Sequence, residues 1–186
     1  MPTQGLNYVA GLLLLVTKDE EQSFWLLTVL IRNILPSYYS SNMHGLVTDI
    51  AVLGDLVRAK CPQIDRTMEN LRLPWPIIVT KWFVCLFAEV LPIEVYTPLM
   101  HWIIERFNEI IWFLMHLQTV LRVWDCLFNE GSKVLFRVAI TLVKLHEDEL
   151  CKCTDFGEMA ETYKKIARSS FVLDCHVFMA VLIYNF

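Results

Sequence analysis

The chain has 186 residues and carries 16 Lys+Arg against 20 Asp+Glu, a formal net charge of −4. That balance argues against a general nucleic-acid binder, which needs a clustered basic face. Hydrophobic residues make up 55% and charged residues 19%, so the chain is too apolar to be disordered and has the material for one well-packed domain.

The elements read in chain order are helical. Residues 12–16 form an apolar run closed at once by Lys18, Asp19, Glu20 and Glu21. Residues 20–35 read as an amphipathic helix. Asp19, Glu20 and Glu21 suit its positive N-terminal end, and Phe24, Leu27, Val29, Leu30 and Ile34 recur near helical spacing until Pro36 stops it. Residues 36–44 are a loop rich in Ser, Tyr and Asn. Residues 46–60 form a second helix with Ile50, Leu53, Leu56 and Val57 on one face, broken at Cys61-Pro62. A short helix follows through residues 68–71, and Pro74-Trp75-Pro76 punctuates again. Residues 77–91 read as a buried, aromatic-rich helix ended by Pro92. Residues 119–129 and 132–146 are two further helices separated by Glu130-Gly131, and residues 156–168 form another. No stretch alternates with period two for long enough to build a sheet, so the class is all-α with short connections.

Membrane and metal chemistry find little support. The longest apolar runs are interrupted by charge, as at Glu105, Arg106 and Glu109, and fall short of the roughly 20 residues that a spanning helix needs. No Lys or Arg precedes Lys18, so a secretory leader is not expected. The six cysteines are then expected to be reduced thiols in a cytoplasmic protein. Cys151-Lys152-Cys153 near His146 lacks the second half of a zinc site, and His44, His101, His116, His146 and His176 show no ligand spacing. The expectation is no metal. Glu147-Asp148-Glu149, like Asp19-Glu20-Glu21, reads as a solvated helix end. There is no Gly-rich phosphate loop and no assembled hydrolytic triad.

Several blocks carry a resemblance. Gln4-Gly5-Leu6-Asn7 followed by Tyr8-Val9-Ala10 is similar to the Gln-Gly-Met-Asn segment that opens a central helix in the TBC-domain family of Rab GTPase-activating proteins. Glu21 to Leu27 resembles that family's acidic–Phe–Trp helix. Leu35-Pro36-Ser37-Tyr38-Tyr39-Ser40 and Met43-His44-Gly45-Leu46 resemble the loop after it. Lys81-Trp82-Phe83-Val84-Cys85-Leu86-Phe87 with Leu91-Pro92 resembles the next buried helix, and Val120-Leu121-Arg122-Val123-Trp124-Asp125 with Glu130-Gly131 resembles the Arg-x-Trp-Asp block. The blocks follow the family's order. They imply the C-terminal part of a TBC-like helical domain over residues 1–168.

The resemblance also implies a function. Phosphoryl transfer to water needs an oriented nucleophile and positive charge on the developing transition state. Family members supply both in trans, a Gln from a Tyr-x-Gln motif and an Arg from an upstream Ile-x-x-Asp-x-x-Arg motif. The partner GTPase holds GTP and Mg, and the activator needs no cofactor of its own. Gln4 matches the glutamine finger, with Gly5, Asn7, Arg122, Trp124 and Asp125 as supporting motif residues. The partner is a Rab-family GTPase, which implies peripheral attachment to endomembranes through the Rab. The departures are specific. Pro2 stands where the family has Tyr, and no Arg falls in the finger pattern; Ile64-Asp65-Arg66 has the wrong spacing and follows the glutamine segment. The expectation is an activator impaired by the missing arginine, with a non-catalytic Rab-binding module as the alternative.

Residues 95–118 interrupt the resemblance. The family text becomes continuous when Leu91-Pro92-Ile93-Glu94 is joined to Thr119-Val120-Leu121-Arg122. The segment has Leu99, Ile103, Phe107, Ile110, Ile111 and Leu114 at helical spacing. Two readings stand: a hydrophobic arm for a partner or membrane surface, and a translated in-frame intron, since Val codons begin GT and one Gln codon ends AG. Either a longer helix running into residues 119–128 or a projecting hairpin arm is expected. The apolar tail, residues 169–186, resembles nothing in the family.

Overall fold

The computed structural model describes residues 5–88, 106–166 and 169–184. Every regular element among them is helical. Helix α1 (Leu6–Thr17) and helix α2 (Glu20–Val29) form a hairpin closed by Lys18 in the left-handed conformation. Asp19 caps α2, accepting from the backbone N–H of Glu21 at 2.9 Å and of Gln22 at 3.1 Å, so the acidic run is a helix end as its composition suggests. The same turn draws Ser23 inward. Its hydroxyl lies 2.7 Å from Thr17 Oγ1 and donates to Asp19 O at 2.8 Å.

That inward rotation overturns one reading of the sequence. With Ser23 buried, Phe24 and Trp25 point outward, 60% and 58% exposed, and the apolar stripe expected through Phe24 is not the buried face. Nor is residues 20–35 one regular helix. A π-helical turn, Leu30–Ile34, follows α2, and Leu35 N–H bonds Leu30 O at 2.8 Å. The additional residue in this turn shifts the side-chain phase, placing Leu30 and Leu35 in the core.

Helix α3 (His44–Lys60) buries Leu46, Ile50, Leu53 and Val57. Helix α4 (Pro62–Asn70) starts on Pro62, which has no N–H to leave unpaired at a helix start. Helix α5 (Trp75–Val84) ends earlier than its apolar text predicts, in a buried turn through Cys85, Leu86, Phe87 and Ala88. Leu86 and Phe87 both have positive φ, 49° and 64°, a conformation that ends a helix.

Helix α6 (Arg106–Glu130) runs continuously from the stretch read above as an interruption into the Arg-x-Trp-Asp block. The longer-helix alternative therefore holds over its described part; residues 95–105 lie outside the described residues. Helix α7 (Lys133–Leu145) is the most buried, with Val134, Leu135, Val138, Ala139, Ile140, Leu142 and Val143 all in the core. Helix α8 (Glu147–Leu150) packs against α4, and helix α9 (Phe156–Ile166) packs on α8. The apolar tail does not dangle. Helices α10 (Ser170–Leu173) and α11 (Cys175–Tyr184) pack on α6; Phe178 and Leu182 are buried, and Thr119 Oγ1 donates to Val172 O at 2.8 Å.

Tyr163 on α9 meets Trp82 edge-on at 5.8 Å, and its buried hydroxyl has no hydrogen-bond partner among the described residues. A buried unpaired hydroxyl costs about 1–3 kcal/mol. Tyr163→Phe is therefore expected to stabilise by about 1 kcal/mol, raising Tm by about 2–4 °C. Burial also pushes the Tyr163 phenol above its ordinary pKa. The neutral form is favoured by folding, so its contribution is complete below about pH 10 and is lost as pH rises above it. Alkaline titration followed by circular dichroism should show later unfolding in the Phe variant. An unchanged or lower Tm would mean that the hydroxyl is satisfied.

Candidate functional site

Residues from separate motif blocks meet at the end of α5. Gly5 opens α1 at φ 110°, a conformation that side chains other than glycine's rarely adopt. A Cβ there would lie 2.9 Å from Val84 O, so glycine is required twice, by backbone conformation and by close approach. Asn7 fixes the same turn by accepting from Gly5 N–H through Oδ1 at 3.1 Å. From the loop before α3, Tyr39 OH donates to Val84 O at 2.8 Å. From α6, Trp124 Nε1 donates to Leu86 O at 2.9 Å. The end of α5 and the turn after it thus present carbonyls to two side-chain donors, Tyr39 and Trp124, which is one way a helix C-terminus is satisfied, while the Gly5 backbone passes close beside Val84 O.

This arrangement sorts the residues that the resemblance singled out. Gly5, Asn7 and Trp124 are brought together as a scaffold around Val84 and Leu86. Gln4 lies outside the described residues. Arg122 and Asp125 stand apart on the exposed side of α6, paired at 3.7 Å; such an exposed pair contributes little to stability. Asp65, in the sequence that mimics the arginine motif, is buried and accepts from Arg58 Nε at 3.0 Å and Trp75 Nε1 at 3.5 Å. It latches α3, α4 and α5 together and is a structural group.

Tyr39 and Val84 are participants that the sequence could not assign. Tyr39 stands in a quoted block, but nothing local says that its hydroxyl ends on a carbonyl 45 residues away. Burial, with a further contribution from Cys85, pushes its phenol up and keeps it a neutral donor. Its neighbour Tyr38 is fully buried and donates to Asp49 Oδ2 on α3. Burial is the largest cause of its raised pKa, ahead of Asp49.

An apolar groove of about 440 Å³ runs between the α1–α2 hairpin and α6, with Leu12, Leu13, Leu26, Trp124 and Phe128 among its walls. A second hollow of about 420 Å³ continues from it past Arg122 toward His176 on α11. Among the described residues, no group of three or more His, Cys, Asp or Glu side chains is placed to hold a metal ion. The six cysteines are free thiols, and burial raises those of Cys61, Cys126 and Cys151, which makes them weaker nucleophiles at neutral pH. No described helix is long and apolar enough to cross a membrane. The arrangement is suited to presenting a surface to a partner.

Comparison with known proteins gives the same picture. The Rab-GTPase-TBC domain family model matches residues 3–115 and 97–151. Growth hormone-regulated TBC protein 1 of Homo sapiens is 46% identical over 176 residues, 95% of this chain and 45% of its own length. Growth hormone-regulated TBC protein 6 of Caenorhabditis elegans is 36% identical over 173 residues, 93% of this chain and 45% of its own. The chain thus spans about half the length of the curated relatives it matches. The crystal structure of the Chlamydomonas flagellar RabGAP TBC domain superposes with a TM-score of 0.73 at 28% identity, covering 97% of this chain and 52% of that one. With ordered motif blocks, a helical fold and these matches in agreement, the chain belongs to the Rab-GTPase-TBC domain family.

Proposed function

We propose that the chain is a GTPase-activating module for Rab-family GTPases, contributing Gln4 as the residue that orients the attacking water. The observation that carries this reading is the anchoring of Gly5. Its backbone passes so close to Val84 O that no side chain fits there, its N–H is held by Asn7, and Gln4 is the residue joined to it. A water-positioning group needs this kind of support, because its contribution depends on being held in place before the reaction. GTP and Mg belong to the partner. Location follows from the partner too: the chain would reach endomembranes by binding a membrane-attached Rab.

The same reading sets a limit on the rate. No Arg in these 186 residues falls in the finger pattern, and an arginine finger contributes about 10³–10⁵ in rate, or about 4–7 kcal/mol at about 1.4 kcal/mol per decade. Gln4 alone does not replace that charge. Single-turnover GTP hydrolysis across a panel of purified Rab proteins is expected to show at most about 10²-fold acceleration, lost in Gln4→Ala. Acceleration that persists in Gln4→Ala would eliminate the glutamine role. Rab binding without acceleration, by a chain shown to be folded, would favour the second reading, a non-catalytic Rab-binding module, which the absent arginine pattern supports.

A further inference from the structure

Val84 ends α5, so its carbonyl is one of the four that a helix leaves without an internal partner. Two distant parts of the chain meet there. The Gly5 backbone passes so close that an added Cβ would lie 2.9 Å from Val84 O, and 3.0 Å and 3.1 Å from the two Val84 methyl carbons. Tyr39, half-buried in the loop before α3, donates its hydroxyl to the same oxygen at 2.8 Å. A hydrogen bond to a carbonyl is directional, with the donor near the plane of the C=O group. Tyr39 therefore fixes how this end of α5 is turned toward Gly5. The loop that carries it has a separate anchor in Tyr38, which is fully buried and bonded to Asp49 on α3. Nor does the Tyr39 bond duplicate the other two at the site. Asn7 holds Gly5 N–H at 3.1 Å, and Trp124 holds Leu86 O, two residues beyond Val84, at 2.9 Å.

We propose that Tyr39 is a positioning residue: its hydroxyl holds the Val84 carbonyl as the wall beside the Gly5 backbone, and through Gly5 it sets where Gln4 is delivered. The proposal rests on the reading of Gln4 as the water-orienting residue. Tyr39 acts through Gly5 and not on the nucleotide or the attacking water. Its effect is geometric. Gly5 has no side chain to wedge it in place and adopts φ 110°, so the surfaces beside its backbone decide how far it moves. A displacement of about 1 Å at a reacting group costs up to about 10²-fold in rate. A hydroxyl acting at one remove, with Asn7 still in place, is expected to contribute about tenfold.

Tyr39→Phe removes the hydroxyl and keeps the ring. Tyr38→Phe, which weakens the same loop without reaching Val84, is the comparison. Both are studied in the full chain, well below the Tm of each variant. The first readout is NMR relaxation of the Gly5 amide, which needs no GTPase. Its heteronuclear NOE is expected to fall in Tyr39→Phe and to match the parent in Tyr38→Phe. An unchanged value in Tyr39→Phe, or an equal fall in both variants, would overturn the proposal. The second readout is single-turnover GTP hydrolysis on a purified Rab that the parent accelerates. Tyr39→Phe is expected to lower the maximal acceleration about tenfold, at an unchanged half-saturating concentration of the chain. A raised half-saturating concentration with full maximal rate would place Tyr39 on the Rab-binding surface and overturn the positioning role. Loss of acceleration in Gln4→Ala but not in Tyr39→Phe leaves the glutamine reading standing and removes Tyr39 from it. Acceleration that survives Gln4→Ala sinks the glutamine reading instead, whatever the Gly5 amide shows. Where the parent accelerates no Rab, the Gly5 amide alone decides whether Tyr39 holds this backbone. Should Tyr39→Phe not fold, the parent supplies the answer: a slowly exchanging Tyr39 hydroxyl proton is expected, and a rapidly exchanging one overturns the proposal.

Discussion

Trp124→Ala is expected to remove a large part of the stability of this fold. Trp124 is 3% exposed and lies on α6, where it closes the groove against the α1–α2 hairpin and donates to Leu86 O at 2.9 Å. Truncating a buried Trp costs about 3–5 kcal/mol, a large part of the 5–15 kcal/mol that an ordinary domain possesses. Tm should fall by about 6–20 °C. Trp124→Phe separates the two contributions. It keeps much of the apolar contact but strands Leu86 O, already in a strained turn, for about 1–3 kcal/mol. Denaturant titration of both variants measures the difference. A Phe variant as stable as the parent would show that the carbonyl finds another donor and that the indole acts by packing alone.

Gly45→Ala should destabilise even though helix propensity predicts the opposite. Gly45 sits in the first turn of α3, where replacing Gly by Ala ordinarily gains up to about 1 kcal/mol. Here an added Cβ would fall 2.3 Å from Pro36 O and 3.0 Å from Tyr38 Cδ2. The first of these is backbone and cannot swing aside. The turn holding Tyr38 and Tyr39 would have to leave α3, disturbing the Tyr38–Asp49 and Tyr39–Val84 hydrogen bonds together. Overpacking of this kind costs about 1–3 kcal/mol, which outweighs the propensity gain. Gly11→Ala, whose Cβ would enter open space, is the internal comparison and should stabilise by up to about 1 kcal/mol. Thermal denaturation showing both variants shifted upward would mean that the 36–38 turn yields without cost.

These two positions also show why motif recognition and structural role diverge. The blocks that carry the family resemblance contain Gly5, Asn7, Gly45 and Trp124, and they were legible because a family keeps residue types in a fixed order. What those residues do was not legible. Three of the four, Gly5, Gly45 and Trp124, are required by contacts with distant backbone: Gly5 by Val84, Gly45 by the turn at Pro36, and Trp124 by Leu86. Asn7 alone acts locally, on Gly5. Arg122 and Asp125, which share a block with Trp124, form an exposed pair instead, so membership in a motif did not by itself place a side chain in the site.

The sequence alone determined the helical class and some of the helix limits, because the causes are local. Asp19 caps a helix and Pro36 stops one through interactions within a few residues, whereas the short helix read at residues 68–71 in fact begins at Pro62 and runs to Asn70. Hydrophobic spacing placed α3 correctly for the same reason: it has one consistently buried face and no break in its phase. Only the tertiary structure decided the rest. A hydroxyl pair between Thr17 and Ser23 turned Phe24 and Trp25 outward, and the π turn at Leu30–Ile34 shifted the phase that periodicity assumes constant. Residues 106–118, part of the stretch read from sequence as an interruption, run into α6, and the tail joins the core through Phe178, Leu182 and the bond from Thr119 to Val172. Each depends on which apolar surface is left uncovered once the other helices are in place. Burial is a property of the assembled neighbours, and no window of sequence contains them.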